Sequence, residues 1–290
     1  MLSFMPAGTT LALKRVGFGA MQIPGPMVWG PPRDREAALA VVREAVRIGI
    51  NHIDTSDYYG PHVANEIIRE AIYPYPEDLT IVTKVGARRE ADKSWLPALS
   101  PKELTSAVHD NLRNLRLDAL DIVNLRLGGA FGPDDSSVAE PLSVLLDLQT
   151  QGLVKHIGLS NVTQRQFKEG RAMAKIVCVQ NNYNVAFRGD DAFIDELAAL
   201  DVAYVPFFPL GGFRPLTSTI LDEVATSLGA TPRQVALAWL LQRSPNVLVI
   251  AGTSSVEHLH ENVKSANLKL PPESLARLDE ISAASAEPSE

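Results

Sequence analysis

Short runs rich in β-branched residues alternate with amphipathic stretches along nearly the whole chain. Residues 9–13 and 15–18 predict two strands about Lys14, a small hairpin at the start. With 16–19 counted first, strands follow at 52–54, 79–84, 122–127, 156–160, 177–181, 204–208 and 247–250. Their mostly continuous apolar character suits strands covered on both faces, as in a parallel sheet. Between them, residues 35–48 place Ala38, Val41, Val42, Ala45 and Val46 along one face and stop before Gly49. Residues 101–115 begin from Ser100-Pro101-Lys102-Glu103, a capping box with proline at the first helical position. Thr231-Pro232-Arg233-Gln234 repeats that grammar before 235–242. Further helices are predicted at 63–71, 138–151, 163–173, 190–200 and 255–265, with 218–228 and 272–281 surplus to strict alternation.

Eight strands each followed by a helix predict an α/β fold, a closed (β/α)8 TIM barrel with an N-terminal β-hairpin and two extra helices. An open doubly wound sheet is the alternative. No composition break or Pro/Ser-rich linker divides the chain, so residues 1–290 read as a single barrel domain, with about 1–8 and 283–290 loose.

In such a barrel, chemistry gathers at the carboxyl ends of the strands. His52 and Asp54 share one face of their strand by period-two alternation, and the inward face is the expected one. The next strand ends Val82-Thr83-Lys84, and the one after delivers Arg126 to its own end. The following two end in Ser160-Asn161 and Gln180-Asn181. A tyrosine, with an ordinary pKa of about 10, is a poor proton donor at neutral pH. A nearby ammonium favours its phenolate, and a buried carboxylate keeps the ammonium charged and oriented. Asp54, Tyr59 and Lys84 at one mouth would thus form a general acid for an oxygen that gains negative charge. A structural Asp–Lys pair beside a rim tyrosine is the blander alternative.

At these residues the chain resembles an aldo-keto reductase, over about residues 10–282. Gly49-Ile50-Asn51-His52-Ile53-Asp54-Thr55-Ser56-Asp57-Tyr58-Tyr59-Gly60, Thr83-Lys84 and Gly152-Leu153-Val154-Lys155-His156-Ile157-Gly158-Leu159-Ser160-Asn161 match family motifs in order and separation. The resemblance implies a barrel that binds a nicotinamide dinucleotide without a Rossmann domain, and the chain has no G-x-G-x-x-G. It implies Tyr59 as general acid, tuned by Asp54 and Lys84, with Ser160, Asn161 and Gln180 on the nicotinamide carboxamide. Phe207 would stack on the ring, and Phe208, Leu210 and Gly212 would lie along the pyrophosphate. Gly252, Thr253 and Ser254 resemble an adenosine-phosphate site at a helix start, with His258, Glu261 and Asn262 beside the ribose and adenine. Gly19, Ala20 and Met21 would floor the cofactor, and Asp54 would contact it as well.

Two departures matter. Arg126 stands where the family most often has a histidine. Either catalysis is lost, leaving a nicotinamide-sensing regulatory subunit, or a permanent cation polarises the carbonyl and welcomes an anionic oxygen beside it. The stretches Pro31-Pro32-Arg33-Asp34-Arg35, His52 to His62 and Pro206 to Phe213 also resemble a bacterial subgroup that reduces pyridoxal to pyridoxine. Pyridoxal carries a phenolic oxygen next to its aldehyde, which Arg126 would accept; a broad aromatic-aldehyde reductase is the alternative. The second departure is that only His258 offers a cation near the expected 2′-phosphate. NADPH is the expected cofactor on family grounds, with NADH open.

Composition narrows the partners. The 27 Lys and Arg against 34 Asp and Glu give a net charge of −7, which repels nucleic-acid phosphates and anionic lipid. No apolar run reaches the roughly 18 residues of a membrane span. The start lacks a basic, apolar secretory signal. The single Cys178 lies in an apolar run and reads as a buried inert thiol. A cytoplasmic monomer or weak homo-oligomer acting on a small aldehyde is expected. The six histidines follow no ligand spacing, so no metal is expected. His52 reads as a polar filler below Asp54, and His62 as a rim or helix-capping residue. Tyr58, Trp29, Trp95 and Phe131 either wall a substrate pocket or staple loops down. Arg88-Arg89 reads as solvated loop charge.

Overall fold

A computed structural model describes residues 2–129, 132–213 and 216–285. Seven parallel strands run in the order Ala203–Tyr204, Ile176–Gln180, Val154–Ser160, Leu120–Arg126, Thr80–Val85, His52–Asp54 and Phe18–Gly19. The segment around residues 247–252 closes the ring: Val247 bridges Tyr204, while Val249 and Gly252 bridge Val16 and Gly19, all in parallel sense. Backbone bonds seal both seams, from Leu248 N to Tyr204 O at 2.9 Å and from Gly17 N to Val249 O at 2.8 Å. The expected barrel is present, and the open sheet is not.

Alternation divides the apolar residues between two cores. Leu13, Val82, Ile122, Cys178, Val205, Leu248 and Ile250 pack together inside the barrel. Ile53, Ile81, Val85, Val123, Leu125, Ile157 and Leu159 point the other way, into the larger core under the helices. His52 shares the inner space with Leu13, Val82 and Cys178. Burial lowers its pKa to about 4, so it stays neutral as a polar filler.

The helices start where their caps place them. Ser100 and Glu103 form the reciprocal capping box of helix Pro101–Leu115, and Thr231 and Gln234 that of Pro232–Arg243. Asp34 accepts from Ala37 N at the head of Arg35–Arg47. The two extra helices, Thr219–Ser227 and Pro272–Ser285, pack against each other.

Three differences from the sequence pattern have physical causes. The N-terminal hairpin pairs Ser3–Phe4 with Leu13–Lys14, not 9–13 with 15–18. Val16 and Phe18 are needed in the barrel wall, while Leu13, with Phe4 and Leu11 packed beside it, plugs the barrel floor. This pairing draws in part of the segment expected to be loose, and Ala7 N also donates to Asp201 O at 2.9 Å. At the other end the last helix runs to Ser285, past the expected stop, and residues 286–290 lie outside the described ones. Finally, a two-stranded antiparallel ribbon, Ala87–Arg89 with Trp95–Pro97, rises from the mouth where a plain connection was expected.

The inner core sets a sharp local constraint. A Cβ on Gly17 would overlap the His52 ring. Gly17→Ala is expected to cost about 1–3 kcal/mol in urea unfolding. A double-mutant cycle with His52→Ala should show favourable coupling between the two changes; an additive cycle would place the strain elsewhere.

Candidate active site

Asp54 ends its strand pointing inward, and Lys84 does the same on the neighbouring strand. Lys84 Nζ donates to Asp54 Oδ1 at 2.5 Å and to the Thr55 carbonyl at 3.0 Å. Both side chains are 4% exposed. Gln180 crosses the barrel to donate Nε2 to Asp54 Oδ2 at 2.8 Å. Each carboxylate oxygen thus has a donor, and two of the three ammonium donors are satisfied. The pair is out of water yet compensated.

Tyr59 lies over this pair, with Lys84 Nζ 5.0 Å from its ring centre. Burial first, then the Asp54 carboxylate, push the Tyr59 phenol above its ordinary range, while Arg126 pulls the other way. The net direction is opposite to the lowering expected from Lys84. The phenol is held protonated, which is the state a proton donor requires. Tyr58 is pushed up to about 12, chiefly by burial.

The loop that carries the tyrosines is braced from behind. Asp57 accepts from Asn65 at 3.0 Å and Asn114 at 2.8 Å, and pairs with His62 Nδ1 at 2.6 Å. Asn65 passes the chain on to Asn111 at 2.9 Å and accepts from Thr55 at 2.8 Å; Asn111 accepts from Thr83 at 2.5 Å. Thr55 and Thr83 are the chain neighbours of Asp54 and Lys84, so the ladder fixes both strand ends. None of these asparagines was singled out from the sequence. The available signal was amides at helix positions where the pattern calls for apolar residues. His62 occupies the N-cap of helix Val63–Ile72, but its side chain makes no capping bond.

One cavity of about 330 Å³ opens above Tyr59, walled by Tyr58, Trp95, Phe207, Phe208 and Met27 and charged by Lys84, Lys93 and Arg126. Arg126 Nη2 donates to Gly129 O at 3.2 Å, and its guanidinium lies 5.5 Å from the Phe207 ring centre. Trp29 does not line this cavity. It bridges Gly60 and sits 5.4 Å from Arg89, so it staples loops. Arg89 is itself a correction: Arg88 is exposed and paired with Glu90 and Glu103, but Arg89 is buried. Phe131 lies outside the described residues.

A second space continues from Tyr59, Asp54 and Gln180 along Gly19, Met21, Phe207, Phe208, Leu210, Gly212 and Gly252. It opens into a groove of about 670 Å³ whose walls include Thr253, Ser254, His258, Glu261 and Asn262. Ala20 is fully buried in the core and does not line either space. Gly19 and Gly252 are glycines because their strands meet here: a Cβ on Gly19 would meet the Ile250 carbonyl, and one on Gly252 the Gly19 carbonyl. Asn161 uses Nδ2 to latch the carbonyls of Leu127, Gly129 and Gly132, at 2.8, 3.1 and 2.9 Å. Arg233 also faces the groove, 3.4 Å from Glu261. His258 is therefore not the only cation there; in the sequence Arg233 looked like part of a helix start and nothing more.

The groove leaves polar atoms waiting at both ends. Gln180 Oε1 at the inner end and Asn262 Oδ1 at the outer end are buried without hydrogen-bond partners among the described residues, as is Ser160 Oγ, paired in register with Gln180 on the neighbouring strand. Other unpartnered buried atoms, at His52, Arg89, Asn124, Asn182 and Asn246, lie outside the groove lining; those that line it are open to a ligand with complementary polar groups. An elongated molecule with an amide at one end and a heterocycle at the other, such as a nicotinamide dinucleotide, fits them.

Residues 15–283 match the aldo/keto reductase family. The chain is 65% identical to pyridoxine 4-dehydrogenase of Escherichia coli, over 94% of this chain and 96% of the relative. Among solved structures, a thermostable aldo-keto reductase in complex with the inhibitor epalrestat superposes with a TM-score of 0.82 at 30% identity, covering 97% of this chain and all of that one (100%). An aldo/keto reductase from Klebsiella pneumoniae in complex with NADP and acetate gives 0.77 at 22% identity, over 97% and 95%. By sequence and by fold alike, the chain belongs to the aldo/keto reductase family of oxidoreductases.

Proposed function

We propose that this protein is an NADPH-dependent carbonyl reductase of the cytoplasm, a monomer or weak homo-oligomer, that reduces pyridoxal to pyridoxine. The observation that carries the reading is the compensated Asp54–Lys84 pair beneath a protonated Tyr59, where an aldehyde-sized aromatic cavity meets the dinucleotide-shaped groove. The identity to a pyridoxine 4-dehydrogenase supports the substrate.

A reduced nicotinamide dinucleotide, when bound, supplies the hydride. Ser160 and Gln180 would accept hydrogen bonds from its carboxamide, and Phe207 would cover the ring. Tyr59 gives its proton to the carbonyl oxygen as negative charge develops there. Lys84, ion-paired with Asp54, stabilises the phenolate that remains, and solvent restores the proton. Run backwards, the same groups take a proton from an alcohol. Arg126 binds the phenolic oxygen beside the pyridoxal aldehyde, an interaction that a titrating histidine would not hold at every pH. At the far end Arg233, in the groove beside Glu261, would face the ribose phosphate and so favour NADPH over NADH.

Tyr59→Phe should lower turnover by about 10²–10⁴-fold with NADPH affinity unchanged. In an aldehyde panel followed by NADPH consumption, Arg126→Met should lower kcat/KM for pyridoxal by about 10–100-fold and spare a non-phenolic aromatic aldehyde. Normal turnover by the Phe variant, or equal losses on both aldehydes, would contradict these roles. Separately, Arg233→Gln should weaken NADPH binding about 10-fold and leave NADH binding unchanged; parallel changes for both would remove Arg233 from cofactor choice.

A further inference from the structure

Arg89 is the most heavily committed cation at the barrel mouth, and nothing in the proposed chemistry uses it. It lies on the ribbon that the sequence did not announce, in register with Trp95. Its Nη1 donates to Val28 O at 2.9 Å, and its Nη2 to Met27 O and Lys93 O, both at 3.0 Å. The guanidinium carbon lies 4.0 Å from the Trp95 ring centre and 5.4 Å from that of Trp29. Arg89 is 9% exposed.

Two further observations show what this grip holds. Met27 and Val28 have φ of 63° and 56°, in the left-handed region that side chains, and β-branched ones above all, avoid. Arg89 takes the carbonyls of those two residues, so it offsets the strain of the loop. That loop is in turn bonded to the tyrosine loop, from Gly30 N to Gly60 O at 3.0 Å and from Gly60 N to Val28 O at 3.2 Å. On its other face, Trp95 meets Tyr58 and Tyr59 edge-on, with ring centres 5.6 and 6.4 Å away. Three segments therefore converge on one planar cation: the 24–30 loop, the ribbon, and the tyrosine loop through Trp95 and Gly60.

We propose that Arg89 is a positioning residue that holds Trp95 as the fixed wall of the substrate cavity against Tyr58 and Tyr59, and so selects flat aromatic aldehydes. It touches neither the substrate cavity nor the dinucleotide groove directly. Arginine suits the task because a planar fork of donors serves several carbonyls while its face stacks on indole; an ammonium does only the first. With the wall pinned, a planar ring enters a slot already formed, and the ordering cost of the wall is met on folding. This inference rests on the carbonyl-reductase reading, but its readout separates from it.

The test is Arg89→Met and Arg89→Lys, each compared with Trp95→Leu. We expect Arg89→Met to raise KM for pyridoxal about 10-fold while KM for a small aliphatic aldehyde and the Kd for NADPH stay within about two-fold. Acrylamide quenching of tryptophan fluorescence should rise as the indoles loosen. Arg89→Lys should restore only part of the KM, and Trp95→Leu should reproduce the selectivity loss without touching Arg89. Equal changes for both aldehydes, unchanged quenching, or a Trp95→Leu enzyme with normal selectivity would each overturn the proposal. Should Tyr59→Phe turn over normally, the proton-transfer reading falls while this selectivity test still stands on its own.

Discussion

Two opposite charges sit out of water where strands Thr80–Val85 and His52–Asp54 end, and the rest of the site is arranged to make that tolerable. Removing one ammonium and one carboxylate from water costs several kcal/mol each, and their mutual attraction repays this only with near-ideal geometry and every remaining donor or acceptor occupied. Asp54 meets that demand with Lys84 on one oxygen and Gln180 on the other. Lys84 adds the Thr55 carbonyl. Because Gln180 comes from across the barrel, the pair can be satisfied only when the ring is closed. Closure is in turn set by the seams at Tyr204–Val247 and Val16–Val249. The charge pair thus depends on the closed fold.

Around this centre the molecule separates rigid from receptive surfaces. The amide ladder of Asn65, Asn111 and Asn114 behind the tyrosine loop is saturated with partners, as a brace should be. The groove in front carries unpaired atoms at Gln180 and Asn262, with Ser160 Oγ unpaired on the strand beside Gln180. Asn161 commits its Nδ2 to three loop carbonyls. Trp29, bridged to Gly60 beside Arg89, is a loop staple and does not line the cavity.

The barrel was legible because its strands are fully buried and its helices carry caps that can be spelled out residue by residue. Asp54, Lys84 and Arg126 were legible for a different reason: each is a polar residue at an inward position of a strand end, where packing alone would choose an apolar one. The hairpin at the start was placed too far along the chain because alternation around Lys14 fits both a barrel wall and a floor plug. Arg89 was misread because a charge pair in a connection looks the same whether the chain beyond it folds back as a ribbon or lies in solvent. Arg233 was hidden inside a capping box, and only the packing of helix Pro232–Arg243 beside Val256–Lys264 turns it toward the groove. Long-range contacts of this kind leave no periodic trace.

The most direct test concerns the charge pair itself. The double variant Asp54→Asn, Lys84→Met removes both charges together and leaves no uncompensated ion in the barrel. Single-turnover transfer of hydride from NADPH to pyridoxal, measured alongside NADPH affinity, separates binding from chemistry. We expect a folded protein with NADPH affinity within a few-fold of the parent and transfer slowed by about 10²–10³-fold. Transfer at the parental rate in that variant would show that the charge pair is not needed for the chemistry.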